Sequence, residues 1–193
     1  MTKSDVDLRK WLKEKFPYVE KSDEEIKKEF IESFGIKKWE EEDALGPLMD
    51  LSFKLCDYLG IDPVPIVFEQ MEEDARYYDE LNYIAISSAF VKDSLECKKC
   101  IIHEIKHLHQ KNAITSENSS LIFAPKNLIK EWKIDFKVNQ RLLTVNEIMC
   151  LAVEVDAFAF TKFILKEWFD YEYHHNDKTY DLLLEIYVKK YFK

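Results

Sequence analysis

The most constraining stretch of this 193-residue chain runs from Asp93 to Lys111, without glycine or proline, and opens with Asp93-Ser-Leu-Glu96. An acceptor side chain followed three residues later by glutamate is a capping pair: it satisfies backbone N–H groups that a helix N-terminus leaves without partners. The segment is therefore predicted to be helical, and within it stand His103, Glu104 and His107. Residues four apart on a helix lie about 40° apart around its axis, so the two imidazoles project side by side and can share one tetrahedral ion. Glu104, one residue on, reaches a water on such an ion without displacing it.

A catalytic zinc takes three protein ligands and keeps one position for water, so the pair needs a third donor. A later segment offers Glu147, Glu154 and Asp156. Glu147 closes another capping box, Thr144-Val-Asn-Glu147, at the start of a helix predicted to run to about Lys166, so its carboxylate is expected on a backbone N–H. Glu154 lies in the apolar run Leu151 to Phe160, where a lone buried carboxylate is costly unless paired or metal-bound. Glu154 is the expected third ligand and Asp156 the alternative; the competing reading pairs either with a lysine or turns it to water.

Around these residues the chain reads as helices, a small sheet, then helices. Residues 1–45 form a charged N-terminal helical segment, with a capping box at Ser22 to Glu25 and a stop at Gly35. Gly46-Pro47 marks a break before a helix carrying Leu48, Leu51, Phe53, Leu55 and Leu59 and stopping at Gly60. Val64 to Phe68, Arg76 to Tyr78 and Asn82 to Ile86 are strand-like, residues 112–127 read as an irregular connection, and the tail beyond Asn176 makes a last amphipathic helix. The expected fold is α+β, one small sheet packed against helices, with residues 46–193 as the main domain.

Composition removes several functions. Twenty-eight basic and 37 acidic side chains give a net charge of −9, so no general attraction to nucleic-acid phosphates or anionic lipid is expected. The most apolar segment, Ile148 to Leu165, is interrupted by Glu154 and Asp156, and no membrane span is read. Three glycines leave no material for a glycine-rich phosphate loop. The first ten residues lack the apolar stretch of a secretory leader, and four cysteines are few for a disulfide scaffold, so reduced thiols and a cytoplasmic address are expected. Cys97-Lys-Lys-Cys100 has no matching second pair; Cys100 reads as a small core residue and Cys97 as its neighbour near the helix start. His109, two residues beyond His107 and off its face, reads as a surface histidine.

His103-Glu104-x-x-His107 followed by Glu154-Val-Asp-Ala-Phe-Ala-Phe160 resembles the gluzincin type of zinc metallopeptidase, most closely the ImmA/IrrE-like family. In that family a motif E-x-E-A-(N/D)-x-F-A supplies the third ligand; Glu154 aligns with the ligand, Asp156 with the second acid, Ala157 with the alanine and Phe160 with the phenylalanine. The resemblance covers residues 45–170 and implies a zincin-like fold, with an edge strand beside the cleft and a ligand-bearing helix after the HExxH helix. It also implies a bound Zn2+, a protein or peptide substrate, and hydrolysis by a metal-activated water with Glu104 as general base. Two positions depart from the pattern: the family's Asn or Asp four residues after the ligand is Phe158, and the glycine often found before the second histidine is Lys106. Phe158 motivates the alternative of a catalytically inactive zincin-fold binding or regulatory protein. Under the peptidase reading, a substrate strand is expected beside Tyr83 to Ile86, and Tyr173, His174, His175 and Tyr180 are oxyanion-donor candidates by residue type.

Overall fold

Apolar residues at three- and four-residue intervals build the first helix, α1 (Glu42–Leu59), which buries Leu48, Leu51, Leu55 and Cys56. It stops where Gly60 adopts φ 68°: Gly60 N–H donates to Asp57 O at 3.1 Å and Ile61 N–H to Cys56 O at 2.9 Å, the paired bonds of a left-handed helix terminus. The computed structural model describes residues 42–78, 81–115, 124–138 and 142–192, so the expected elements at Ser22 to Gly35 lie outside the described residues. The expected break at Gly46-Pro47 is corrected, because α1 continues through both. Proline there forfeits one bond, to the carbonyl four residues back in the opening turns, and the buried stripe that follows offsets it.

Three strands follow, β1 (Ile66–Glu69), β2 (Ala75–Tyr78) and β3 (Tyr83–Ser87), in the order β1-β3-β2. β3 runs parallel to β1 and antiparallel to β2, and its Ile84, Ala85 and Ile86 are fully buried. The substrate strand expected beside Tyr83 to Ile86 is thereby corrected: both edges of β3 are already paired, and β2 is an outer strand. Ser87 N–H bonds Asp74 O at 2.9 Å, so with the observed register Ala75 and Tyr77 turn their main-chain groups away from β3.

A short 3-10 turn, Ser88–Phe90, leads to α2 (Ser94–Thr115), then α3 (Lys126–Asp135), α4 (Val145–Met149), α5 (Ala152–Phe169) and α6 (Lys178–Tyr191). Among the described residues this is a mixed α+β fold of six helices and one three-stranded sheet, and Asp43–Lys193 form one compact unit. Asp93 caps α2, its Oδ1 accepting from the N–H groups of Leu95 (3.1 Å) and Glu96 (3.0 Å). α2 lies against β2 and β3 and also against α5, which packs in turn on α3 and α6. No described helix is long and apolar enough to cross a membrane.

The helix expected to run unbroken from Thr144 to Lys166 is instead two. The capping box forms, with Thr144 N–H donating to Glu147 Oε2 at 2.8 Å, but α4 ends at Met149 and α5 starts at Ala152. The cap of α5 comes from another helix: Asp135, the last residue of α3, accepts the Val153 N–H at 3.2 Å. No glycine or proline marks this break. Asp135→Ala is expected to lower the unfolding free energy by about 1 kcal/mol through the loss of that cap, read as a lower urea midpoint at unchanged slope.

Candidate metal centre

The crossing of α2 and α5 brings three donor atoms together. His103 and His107 stand one turn apart on α2, and Glu154 projects from the first turn of α5. The two Nε2 atoms are 3.0 Å apart, and Glu154 Oε2 lies 3.3 Å from that of His103 and 3.4 Å from that of His107. A tetrahedral ion with ligand bonds of about 2.05 Å needs donors about 3.3 Å apart along each edge. The three measured edges meet that requirement, and three protein donors leave the fourth corner for another ligand. This His103, His107 and Glu154 cluster, each half-buried, is the group among the described residues that could hold a metal ion.

The protonation states suit a cation. Burial acting alone would push the His107 imidazolium down, but the Glu154 carboxylate bonded to it, with Glu104 nearby, lifts it to about 9. Burial would likewise raise Glu154, yet hydrogen bonds from both imidazoles hold it well below the usual carboxylate range. Negative charge gathered beside the two imidazoles thus favours a positively charged occupant between these side chains.

Asp156, the alternative ligand, points elsewhere: it is buried, with Oδ2 3.2 Å from Lys106 Nζ and 2.7 Å from Gln110 Nε2. Lys106 therefore ends inside the protein, 4% exposed, its ammonium 5.3 Å from the Trp132 ring centre and 5.2 Å from that of Phe160. His107 Nδ1 lies 2.9 Å from Gln110 Oε1, whose amide also donates to Val153 O at 2.9 Å. His103 differs: the Phe158 ring is 4.5 Å from its own, and its buried Nδ1 has no hydrogen-bond partner. His109, expected on the surface, is corrected to a core residue, 1% exposed, beside Lys106 and the edge of Trp132. Burial pushes it down to about 3, so it stays neutral. The helical spacing placed it off the ligand face, but α3 covers that other face too.

Of the three donors, His103 borders a cleft of about 640 Å3 whose walls also include Glu104, Ala75, Phe158, Tyr173, His174 and His175. Glu104 is fixed there by the outer strand, its Oε2 accepting the Tyr77 N–H at 3.0 Å. His175 is half-buried, its Nδ1 accepting the Asp177 N–H at 3.1 Å, while the more exposed His174 lies 3.1 Å from Asp181. Tyr180 is not among the residues of the cleft wall; it is buried, and its hydroxyl donates to Met149 O at 2.9 Å. Glu147 serves its capping box, and Cys97 and Cys100 are buried thiols, Cys100 on the cleft wall with burial pushing it up to about 12. Sequence reasoning missed Gln110, although its three-residue offset from His107 puts it on the same helical face, and it missed the link from Tyr77 to Glu104, which no local spacing encodes.

Comparison of the chain with protein-family models, curated proteins and solved structures gives no match. A metal at this cluster would compete with a proton for His107. With a proton held up to about 9, apparent metal affinity should rise about tenfold per pH unit towards that value and flatten above it. Chelator-buffered zinc titrations at several pH values below neutrality and above it measure that slope.

Proposed function

We propose that the chain is a zinc-dependent endopeptidase of the gluzincin type, with His103, His107 and Glu154 as ligands and Glu104 as general base. The observation that carries the reading is the convergence of two histidine nitrogens and a glutamate oxygen at tetrahedral spacing beside a glutamate on an open cleft. The resemblance of the HExxH and Glu154 segments to the ImmA/IrrE-like family supports it, as does a sheet edge bordering the cleft in the zincin manner.

A zinc ion held by these side chains supplies Lewis-acid activation of water and of the scissile carbonyl. Glu104 accepts the proton from the attacking water and returns it to the leaving amine. The Tyr77 N–H holds one carboxylate oxygen and leaves Oε1 for that transfer. An extended peptide aligned along the outer face of β2 would meet the Ala75 main chain and run beside Glu104. His175 and Tyr173, which also line the cleft, would be the donors for the developing oxyanion.

The second reading, an inactive zincin-fold binding protein, is favoured by one observation: Phe158 sits against His103 where a polar partner for Nδ1 would stabilise the ligand. The two readings separate experimentally. Under the first, the purified protein carries about one zinc per chain, and Glu104→Gln keeps the metal while cutting the rate of peptide cleavage by about 10²–10⁴-fold. Under the second, zinc is retained and neither protein cleaves. His103→Ala should abolish stoichiometric zinc under both, and an unchanged metal content in that variant would overturn both.

A further inference from the structure

We infer that Gln110 is the positioning residue of the metal centre, its side-chain amide holding His107 in the one tautomer and rotation that present Nε2 to a cation. The inference rests on the metal reading proposed above and adds a residue that the HExxH pattern does not contain.

The amide's orientation follows from its partners. One end lies 2.9 Å from the Val153 carbonyl and 2.7 Å from the Asp156 carboxylate, and both of those are acceptors. That end is the NH2 group, and the other end is the carbonyl oxygen that faces His107 Nδ1 at 2.9 Å. A carbonyl only accepts, so Nδ1 must carry a proton and donate it, which leaves the Nε2 lone pair for the metal. Asp156 is fixed in turn by Lys106 at 3.2 Å, enclosed by the rings of Trp132, Phe160 and Phe192. The chain Lys106, Asp156, Gln110, His107 thus runs from a buried cation to a ligand, and every residue in it but the ligand is buried. A fully buried glutamine whose NH2 group is held by two acceptors and whose carbonyl is thereby aimed at one imidazole has a role beyond filling space. His103 has no such support, so the centre is asymmetric, with one ligand locked and the other held by packing.

Gln110→Leu keeps the volume and removes the amide. Competition of the full chain against a chromogenic chelator should show zinc held 10–100-fold more weakly than by the wild type. In the zinc-loaded wild type the His107 Nδ1 proton should appear as a protected, downfield imidazole resonance, and in the variant it should exchange away. Gln110→Asn, which retains the amide but withdraws it by one methylene, should weaken zinc in the same direction and serves if the leucine variant does not fold. Ser52→Ala removes another buried hydrogen bond, from Ser52 Oγ to Val64 O at 2.9 Å far along the fold, and should lower stability without moving zinc affinity or the His107 signal. Equal zinc affinity and an unchanged His107 resonance in folded Gln110 variants would overturn the role of Gln110 and leave the metal centre standing. A wild type that binds no zinc would overturn both.

Discussion

The structure depends on a polar knot inside an otherwise apolar helix crossing. Where α2 meets α5, Lys106 and Gln110 both bond Asp156 in a setting of Trp132, Phe160 and other apolar side chains. Buried charge tolerates little displacement. Removing one partner of such a pair typically costs 3–5 kcal/mol, so sliding α5 along α2 by a turn would leave both an ammonium and a carboxylate without their counterparts. The knot therefore fixes the register of the two helices. That register decides whether Glu154, two residues before Asp156, meets the imidazoles of His103 and His107.

The same arrangement accommodates Lys106 and Phe158, the two residues that differ from the pattern the sequence resembles. Lysine at 106 fits because Asp156 on the facing helix neutralises it and three rings surround it. Phenylalanine at 158 packs against His103, while the other imidazole, His107, is bonded by Gln110 from the same helix. Around the helix axis Asp156 lies roughly 160° from Glu154, which rules it out as a direct substitute at the metal. It acts one bond further back, through the Gln110 amide.

The sheet contributes the open side of the site. Because β3 is central, the edge available beside α2 belongs to β2, and Tyr77 on that edge engages Glu104. The proposed base is held by main chain, which cannot swing away as a side chain can. The segment after α5 adds Tyr173, His174 and His175 to the cleft wall, and Asp181 anchors it by bonding Lys162, His174 and the His175 N–H together.

The sequence by itself determined the parts whose causes are local. The capping box at Thr144, the Asp93 half of the one at Asp93, the Gly60 stop, the three strands and the shared face of His103 and His107 follow from spacing and backbone preference within a few residues; the Glu96 half does not form, because the Asp93 N–H bonds Phe90 O and the Glu96 carboxylate bonds Lys99. The burial cost of a lone acid in an apolar run singled out Glu154 for the same reason. Only the tertiary structure decided the rest: the strand order, the break between α4 and α5 made by Asp135, the burial of His109 and Lys106, and the Gln110 link. Each of these arises between residues distant in sequence, where the outcome is set by which faces pack together and which buried polar groups then find partners.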